Sequence, residues 1–318
     1  MDFRFDDEQL ALRDAVRAFC QQHFALSTIA DREGQPAATT TWRALADMGV
    51  FGMLLPGAGG GATYAAIVFE QLGAHLAPGP LLWSTIAAPL VPEAAAGATR
   101  VAGVDVTATK APYVVEHAVE SDVVLVVRAD GVTSCAAAEL PAWEEGEPLD
   151  PLTPAVVFDD LPTGETIGGP EAAQRLRGAG TVLAAAQLVG VAQGALDVAA
   201  AYALERRQFG APIGSFQAVK HMLADMYVRV EIARAATYAA AAIFDDSHSG
   251  DATTAAGTAK LLAGDAGLAN GRTAVQILGG MGFTWEMTPH YFLKRAWVLE
   301  ESFGTADAHA LVLSETWT

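Results

Sequence analysis

Apolar residues recur at helical spacing through the first part of the chain. Leu10, Leu12, Val16 and Phe19 follow Asp6 and Asp7, either of which can cap a helix, while Arg13 and Arg17 fall on the wetter side. A second helix is predicted through Trp42, Leu45, Ala46 and Met48, stopping at Gly49. A third is predicted from Ala65 to Leu76 and is closed by Ala77-Pro78-Gly79-Pro80. Residues 1–95 therefore read as a helical domain.

The period then changes. Val101-Ala102-Gly103-Val104, Val123-Val124-Leu125-Val126-Val127 and Ala155-Val156-Val157-Phe158 are short β-branched runs, punctuated by Asp130-Gly131 and Pro162-Thr163-Gly164. They predict a small β-domain over 96–168. Beyond Pro170 the helical pattern returns. The stripe Leu188, Ala192, Ala195, Ala199, Tyr202, Arg206 marks a helix over 182–206, and Val219, Leu223, Met226, Val230, Ala233, Thr237, Ala240, Phe244 mark the next. A third long helix covers 251–278 and ends at Gly279-Gly280. Alternating steps of three and four, with many alanines, are the seam of closely approaching bundle helices, so 169–318 reads as a C-terminal bundle. The predicted fold class is mainly α with a small middle β-domain.

Composition narrows the functions. Half of the 318 residues are apolar, so the chain folds, and a net charge of −18 argues against nucleic acid or an anionic membrane surface as partner. An anionic ligand must then be met by locally placed arginine, lysine or backbone N–H groups. Cys20 and Cys135 have no ligand spacing and are expected to be reduced and structural. No stretch of eighteen uninterrupted apolar residues predicts a membrane span, and the charged start Met1-Asp2-Phe3-Arg4 lacks the apolar core of a signal peptide. A cytoplasmic location is the expectation.

Two segments carry candidate chemistry. In Glu205-Arg206-Arg207-Gln208-Phe209-Gly210-Ala211-Pro212-Ile213-Gly214-Ser215-Phe216-Gln217, a helix ends in an arginine pair, turns, and resumes after Ser215, a candidate N-cap. Arginines in a last turn can simply answer the helix dipole. Arg206, however, continues the buried stripe, where its planar fork suits a diphosphate. In Gln276-Ile277-Leu278-Gly279-Gly280-Met281-Gly282-Phe283, the glycines either cap the helix or let backbone approach a ligand closely.

Together these segments resemble the C-terminal half of the acyl-CoA dehydrogenases. Asp6–Phe19, Trp42-Arg43-Ala44-Leu45-Ala46-Asp47-Met48-Gly49 and Glu70-Gln71-Leu72-Gly73 resemble the family's N-terminal helices. The resemblance implies a helical–β–helical fold, an acyl-CoA substrate, an electron-accepting flavoprotein and FAD as cofactor, with each FAD shared between two subunits. The flavin ring would lie beside one subunit's β-domain and the ADP portion against a neighbour's bundle. The matching cofactor-binding residues are Arg206, Gln208, Phe209, Phe216, Gln276, Gly279 and Gly280, with Arg206 on the diphosphate.

The departures are equally informative. The family's carboxylate base stands just before a Gly-Thr pair near the C-terminus, where this chain has Glu300-Glu301-Ser302-Phe303-Gly304-Thr305. Phe303 occupies the position and cannot accept a proton. Other members place the base early in the first bundle helix, and there the chain has Gly180. The β-domain is also shorter than in full-length members and lacks a Thr-Glu-Pro…Gly-Ser-Asp segment. The resemblance is thus to the short, non-catalytic subunit of α2β2 bacterial steroid-type acyl-CoA dehydrogenases, completing the FAD site of a base-bearing partner. Two other readings stand beside it: a self-sufficient homo-oligomer using Glu300 or Glu301, and a cofactor-free scaffold with the same fold.

Overall fold

The structure, a computed structural model, describes residues 5–58, 60–140 and 147–315; Met1–Arg4 lie outside them. Helix α1 (Asp7–His23) opens on a capping box, in which the Asp6 side chain accepts from Gln9 N and Gln9 returns to the Asp6 backbone. Helices α2 (Thr39–Asp47), α3 (Ala62–Ala74), α4 (Leu81–Ala87) and α5 (Pro92–Ala95) follow, and Gly49 ends the α2 segment in the left-handed region at φ 76°.

Six strands come next: β1 (Val101–Asp105), β2 (Tyr113–Glu116), β3 (Val123–Val127), β4 (Val132–Ala136), β5 (Ala155–Phe158) and β6 (Glu165–Gly168). One sheet has the order β1-β3-β4-β6, with β1 and β3 parallel and the other pairs antiparallel; β2 and β5 form a separate antiparallel pair. Period-two alternation splits β3 between two cores. Leu125 and Val127 join the main core, whereas Val124 and Val126 pack with Val115, Val156 and Phe158 inside the β-domain. Strands β2, β4 and β6 are missing from the sequence-based expectation. Strands β4 and β6 mix polar and apolar residues, as in Val132-Thr133-Ser134-Cys135-Ala136, and β2 is only the four-residue run Tyr113-Val114-Val115-Glu116.

The remainder is α6 (Pro170–Glu205), α7 (Gln217–Asp245), α8 (Ala252–Leu278), α9 (Pro289–Glu301) and α10 (Ala306–Glu315). Helix α6 is apolar almost all round because it is packed almost all round, by α3 on one side and by α7, α8 and α9 on others. It is long and apolar enough to cross a membrane, yet 83% of its apolar window is buried in the protein. Helices α3 and α6 meet backbone to backbone: a Cβ at Gly190 would overlap the Glu70 carbonyl, and one at Gly73 the Gln187 carbonyl. Cys20 and Cys135 are free and buried.

Two local expectations need correction. Arg206 does not continue a buried stripe, because α6 ends at Glu205 and Arg206 is its exposed C-cap at ψ 122°, already extended. Ser215 does not cap α7: its hydroxyl donates to Pro212 O, and Phe216 stands at the N-cap with no side-chain hydrogen bond.

Candidate functional site

Phe303 lies where the β-domain, α4, α6 and the α9–α10 turn converge. Its backbone is left-handed at φ 57° and the residue is 6% exposed. The ring rests on Gly180 of α6, where a Cβ would overlap it, and on Trp83 of α4 at a centroid distance of 5.0 Å. Trp83 in turn lies on Gly103 of β1, whose missing Cβ leaves it room. Both positions expected for a base thus converge on one place, and an aromatic ring fills it.

The turn that carries Phe303 is held from below. Lys260, fully buried on α8, donates to Glu300 O at 2.8 Å and to Gly304 O at 2.7 Å. Burial pulls its pKa down to about 8 against the opposing pull of Glu300. A His309 Nε2 contact to Phe303 O at 3.0 Å adds a second tie, and burial lowers the pKa of that imidazole. These ties hold a phenylalanine in a conformation that costs a non-glycine residue about 1–2 kcal/mol.

Glu300 is occupied structurally. Its Oε1 accepts from Ala306 N at 2.6 Å, at the start of α10, and its Oε2 lies 3.8 Å from Lys260 Nζ. Burial raises its pKa. Glu301 is exposed and borders the pocket described next.

Two larger spaces meet at Phe303. On one side is an open cleft of about 1140 Å3 bordered by Arg175, Arg177, Thr181, Phe244 and His309. It shares Arg175, Phe244 and Asp245 with a recess of about 460 Å3 bordered by the apolar residues Met53, Leu54, Ile86 and Leu176. Arginines at the mouth of an apolar recess can take a molecule with an anionic head and a hydrocarbon tail. On the other side is a pocket of about 430 Å3 between β1, β2, β5 and α9. Its border includes Asp105, Glu116, Glu147 and Glu301, with no lysine, arginine or histidine among the described residues.

The residues expected at the cofactor stand apart from both spaces, on the outer surface of the bundle. Arg207 and Gln208 pair with Pro212 and Ala211 in a tight hairpin, and Ile213 N donates to Arg206 O at 2.8 Å. Phe209, at the tip with φ 51°, is 94% exposed, and its ring meets that of Phe216 edge to face at 6.2 Å. Gln276, Gly279 and Gly280 are exposed at the far end of α8, and a Cβ on either glycine would meet nothing within 4 Å. Bare backbone and an outward phenylalanine suit a ligand or partner approaching from outside the chain. The structure gathers Arg206 to Phe216 into one hairpin and Gln276 to Gly280 into one helix end.

Sequence reasoning missed Trp83, Glu116, Arg175, Arg177 and Lys260. Only Lys260 left a usable signal: it interrupts the small buried face formed by Ala256, Ala259 and Ala263.

Comparison with known proteins gives concordant findings. Residues 6–96 match the acyl-CoA dehydrogenase N-terminal domain, and residues 168–317 match the acyl-CoA dehydrogenase C-terminal domain. The chain is 33% identical over 305 residues to acyl-CoA dehydrogenase IpdE2 of Mycolicibacterium smegmatis, covering 91% of this chain and 92% of that one. Among solved structures it resembles a chain of the Tcur3481–Tcur3483 steroid acyl-CoA dehydrogenase, with TM-score 0.83 and 25% identity over 97% of both chains. It shares its fold with a chain of the ChsE4–ChsE5 complex from Mycobacterium tuberculosis, with TM-score 0.84 and 22% identity over 100% of this chain and 99% of that one.

Proposed function

The chain belongs to the acyl-CoA dehydrogenase family, and on that premise we propose that it is a non-catalytic subunit completing the FAD site of a base-bearing partner. In this family FAD supplies acceptance of a hydride from the β-carbon of an acyl-CoA, while a carboxylate removes the α-proton. The observation that carries the proposal is the contact of Phe303 with Gly180. The two places at which a member can carry its base coincide here, and neither residue can take a proton.

The two halves of a shared FAD site fit this chain unequally. On the bundle surface, Arg206 would hold the diphosphate, Phe209 and Phe216 would flank the ADP portion, and Gln276 with the bare backbone of Gly279 and Gly280 would lie against it. These residues are exposed in the single chain, as a site completed by another subunit requires. The pocket beside the β-domain fits less well, because four carboxylates border it and no lysine, arginine or histidine lines it among the described residues, although Arg177 Nε lies 3.9 Å from Asp105 Oδ2. The two-chain assemblies of the Tcur3481–Tcur3483 and ChsE4–ChsE5 proteins support the same division, here as an α2β2 complex handling a steroid-type acyl-CoA and passing electrons to a flavoprotein acceptor.

Expression of the chain alone and together with a base-bearing homologue, with flavin absorbance recorded for each, tests the proposal. Little flavin is expected in the first preparation and stoichiometric flavin in the second. A yellow homo-oligomer with dehydrogenase activity overturns it. One observation favours a self-sufficient enzyme instead, namely that Glu301 borders the pocket beside Phe303, and that preparation decides between the two.

A further inference from the structure

The pocket between the β-domain and α9 has a character that the subunit role does not use. Its walls are Trp83, Trp297, Phe303, Val114, Leu149 and Val157. Three of these are unusually open for large apolar side chains: Val114 is 52% exposed, Leu149 53% and Val157 53%. Apolar side chains left open around one concavity of about 430 Å3 are the usual lining of a small-molecule site.

The charge of the pocket selects against most cofactors. Asp105, Glu147 and Glu301 border it as carboxylates, Asp105 with Arg177 Nε at 3.9 Å, on a chain of net charge −18. A phosphate, carboxylate or CoA group entering there would meet like charge on several sides. An uncharged molecule would not.

The inner end is polar. There the pocket adjoins a chamber of about 30 Å3, with which it shares Trp83, Glu116, Thr153 and Ser302. The Ser302 hydroxyl lies 3.3 Å from Glu116 Oε1. Arg295 borders the chamber at 3% exposure; its Nε is bound to Asp150 at 2.5 Å and its Nη1 to Ala77 O at 3.1 Å. Its Nη2 has no partner among the described residues. Burial also raises the pKa of Glu116, which favours the protonated, donating carboxyl. An aromatic slot that ends in donors calls for a ligand with a hydrocarbon body and an acceptor at one end.

We propose that this pocket binds a neutral, flat, mainly hydrocarbon molecule carrying one carbonyl-type acceptor, seated between Trp83, Trp297, Phe303 and Val157 with its acceptor toward Glu116, Ser302 and Arg295. The site goes beyond the subunit role and needs no partner chain, so the full chain alone suffices to test it. The probe is Nile red, which is neutral and planar and carries one carbonyl; its anionic counterpart is 8-anilinonaphthalene-1-sulfonate.

Nile red fluorescence is expected to rise and saturate at one site per chain. Val157→Trp, at a half-exposed wall position, should weaken binding at least about tenfold by filling the slot, a change of about 1.4 kcal/mol. Glu116→Leu should weaken it several-fold by removing a donor, and wild-type binding should fall as pH rises and Glu116 ionises. Unchanged affinity in both folded variants overturns the proposal, because the dye would then be sitting on another apolar surface. Displacement of the dye by equal concentrations of the sulfonate or of FMN also overturns it, because the pocket would then accept anions. Neither failure touches the subunit role, which is read from the flavin content of the co-expressed complex.

Discussion

Gly180 of α6 and Phe303 of the α9–α10 turn occupy one another's space: a Cβ built on Gly180 would lie 2.7 Å from Phe303 Cδ1 and closer still to the ring edge. The glycine is therefore bare because the ring is present. Trp83 packs against the same ring, tilted by 35°, with Gly103 beneath it, so two glycines bracket a pair of aromatic rings. A pair fitted this closely makes the position apolar.

Gly180→Ala should destabilise the chain. The added methyl gains about 1 kcal/mol of helix propensity, but overpacking against a fixed ring typically costs about 1–3 kcal/mol. Chemical denaturation should show a net loss for the single variant and recovery in Gly180→Ala/Phe303→Leu, where the smaller side chain admits the methyl. Additive single effects would show that the two residues are not coupled.

Arg206→Ala should lower the FAD content of the assembled complex without altering the fold. Loss of a charge-assisted contact to diphosphate costs on the order of 1.5–3 kcal/mol, roughly ten- to hundred-fold in affinity. Arg207→Ala is the control, because Arg207 already donates to Gly210 O at 3.1 Å within its own hairpin. Flavin retained as tightly in Arg206→Ala as in wild type would remove the hairpin from the cofactor site.

Glu301→Gln should leave turnover of the complex nearly unchanged. Glu300→Gln should also spare turnover while lowering the melting temperature, because the carboxylate accepts from Ala306 N and lies beside Lys260. Replacing the partner's base by glutamine should abolish turnover and spare FAD. Collapse of activity in Glu301→Gln, with FAD and assembly preserved, would assign this chain a base of its own.

Lys260→Met should cost about 2–3 kcal/mol, since two carbonyls and the half-buried Glu300 carboxylate lose their partner. The cost should also depend on pH. With the folded pKa near 8 and an unfolded value of about 10.4, the unfolded chain holds the extra proton between those values. Wild-type stability therefore gains from this residue as pH rises from about 8 toward 10.4. The stability gap between wild type and Lys260→Met, measured by denaturant titration, should widen over that window. A gap that narrows would mean that the lysine is stabilised in its charged form.

Much of this molecule was legible along the chain. Helices α1, α2, α3, α6, α7 and α8, the strands β1, β3 and β5 and the helix stop at Gly279 follow from residue periods and from glycine and proline punctuation, which act over a few neighbours and leave their mark in sequence. The resemblance also marked Phe303 and Gly180 as positions without a base. The burial of Arg206 was misread because a helical stripe was extended one residue past the point where the backbone turns extended.

What only the tertiary structure decided is which distant residues share one place. Phe303 on Gly180, Trp83 between Phe303 and Gly103, Lys260 beneath the 300–304 turn, and Glu116 beside Ser302 join segments far apart in the chain. Close packing, burial and the resulting pKa shifts arise from those meetings, and no local spacing encodes them. The sequence by itself determined most of the longer elements and the resemblance to their family. Convergence of the elements determined that the place where a base is expected is filled by a ring, and that the two larger spaces beside it differ in charge.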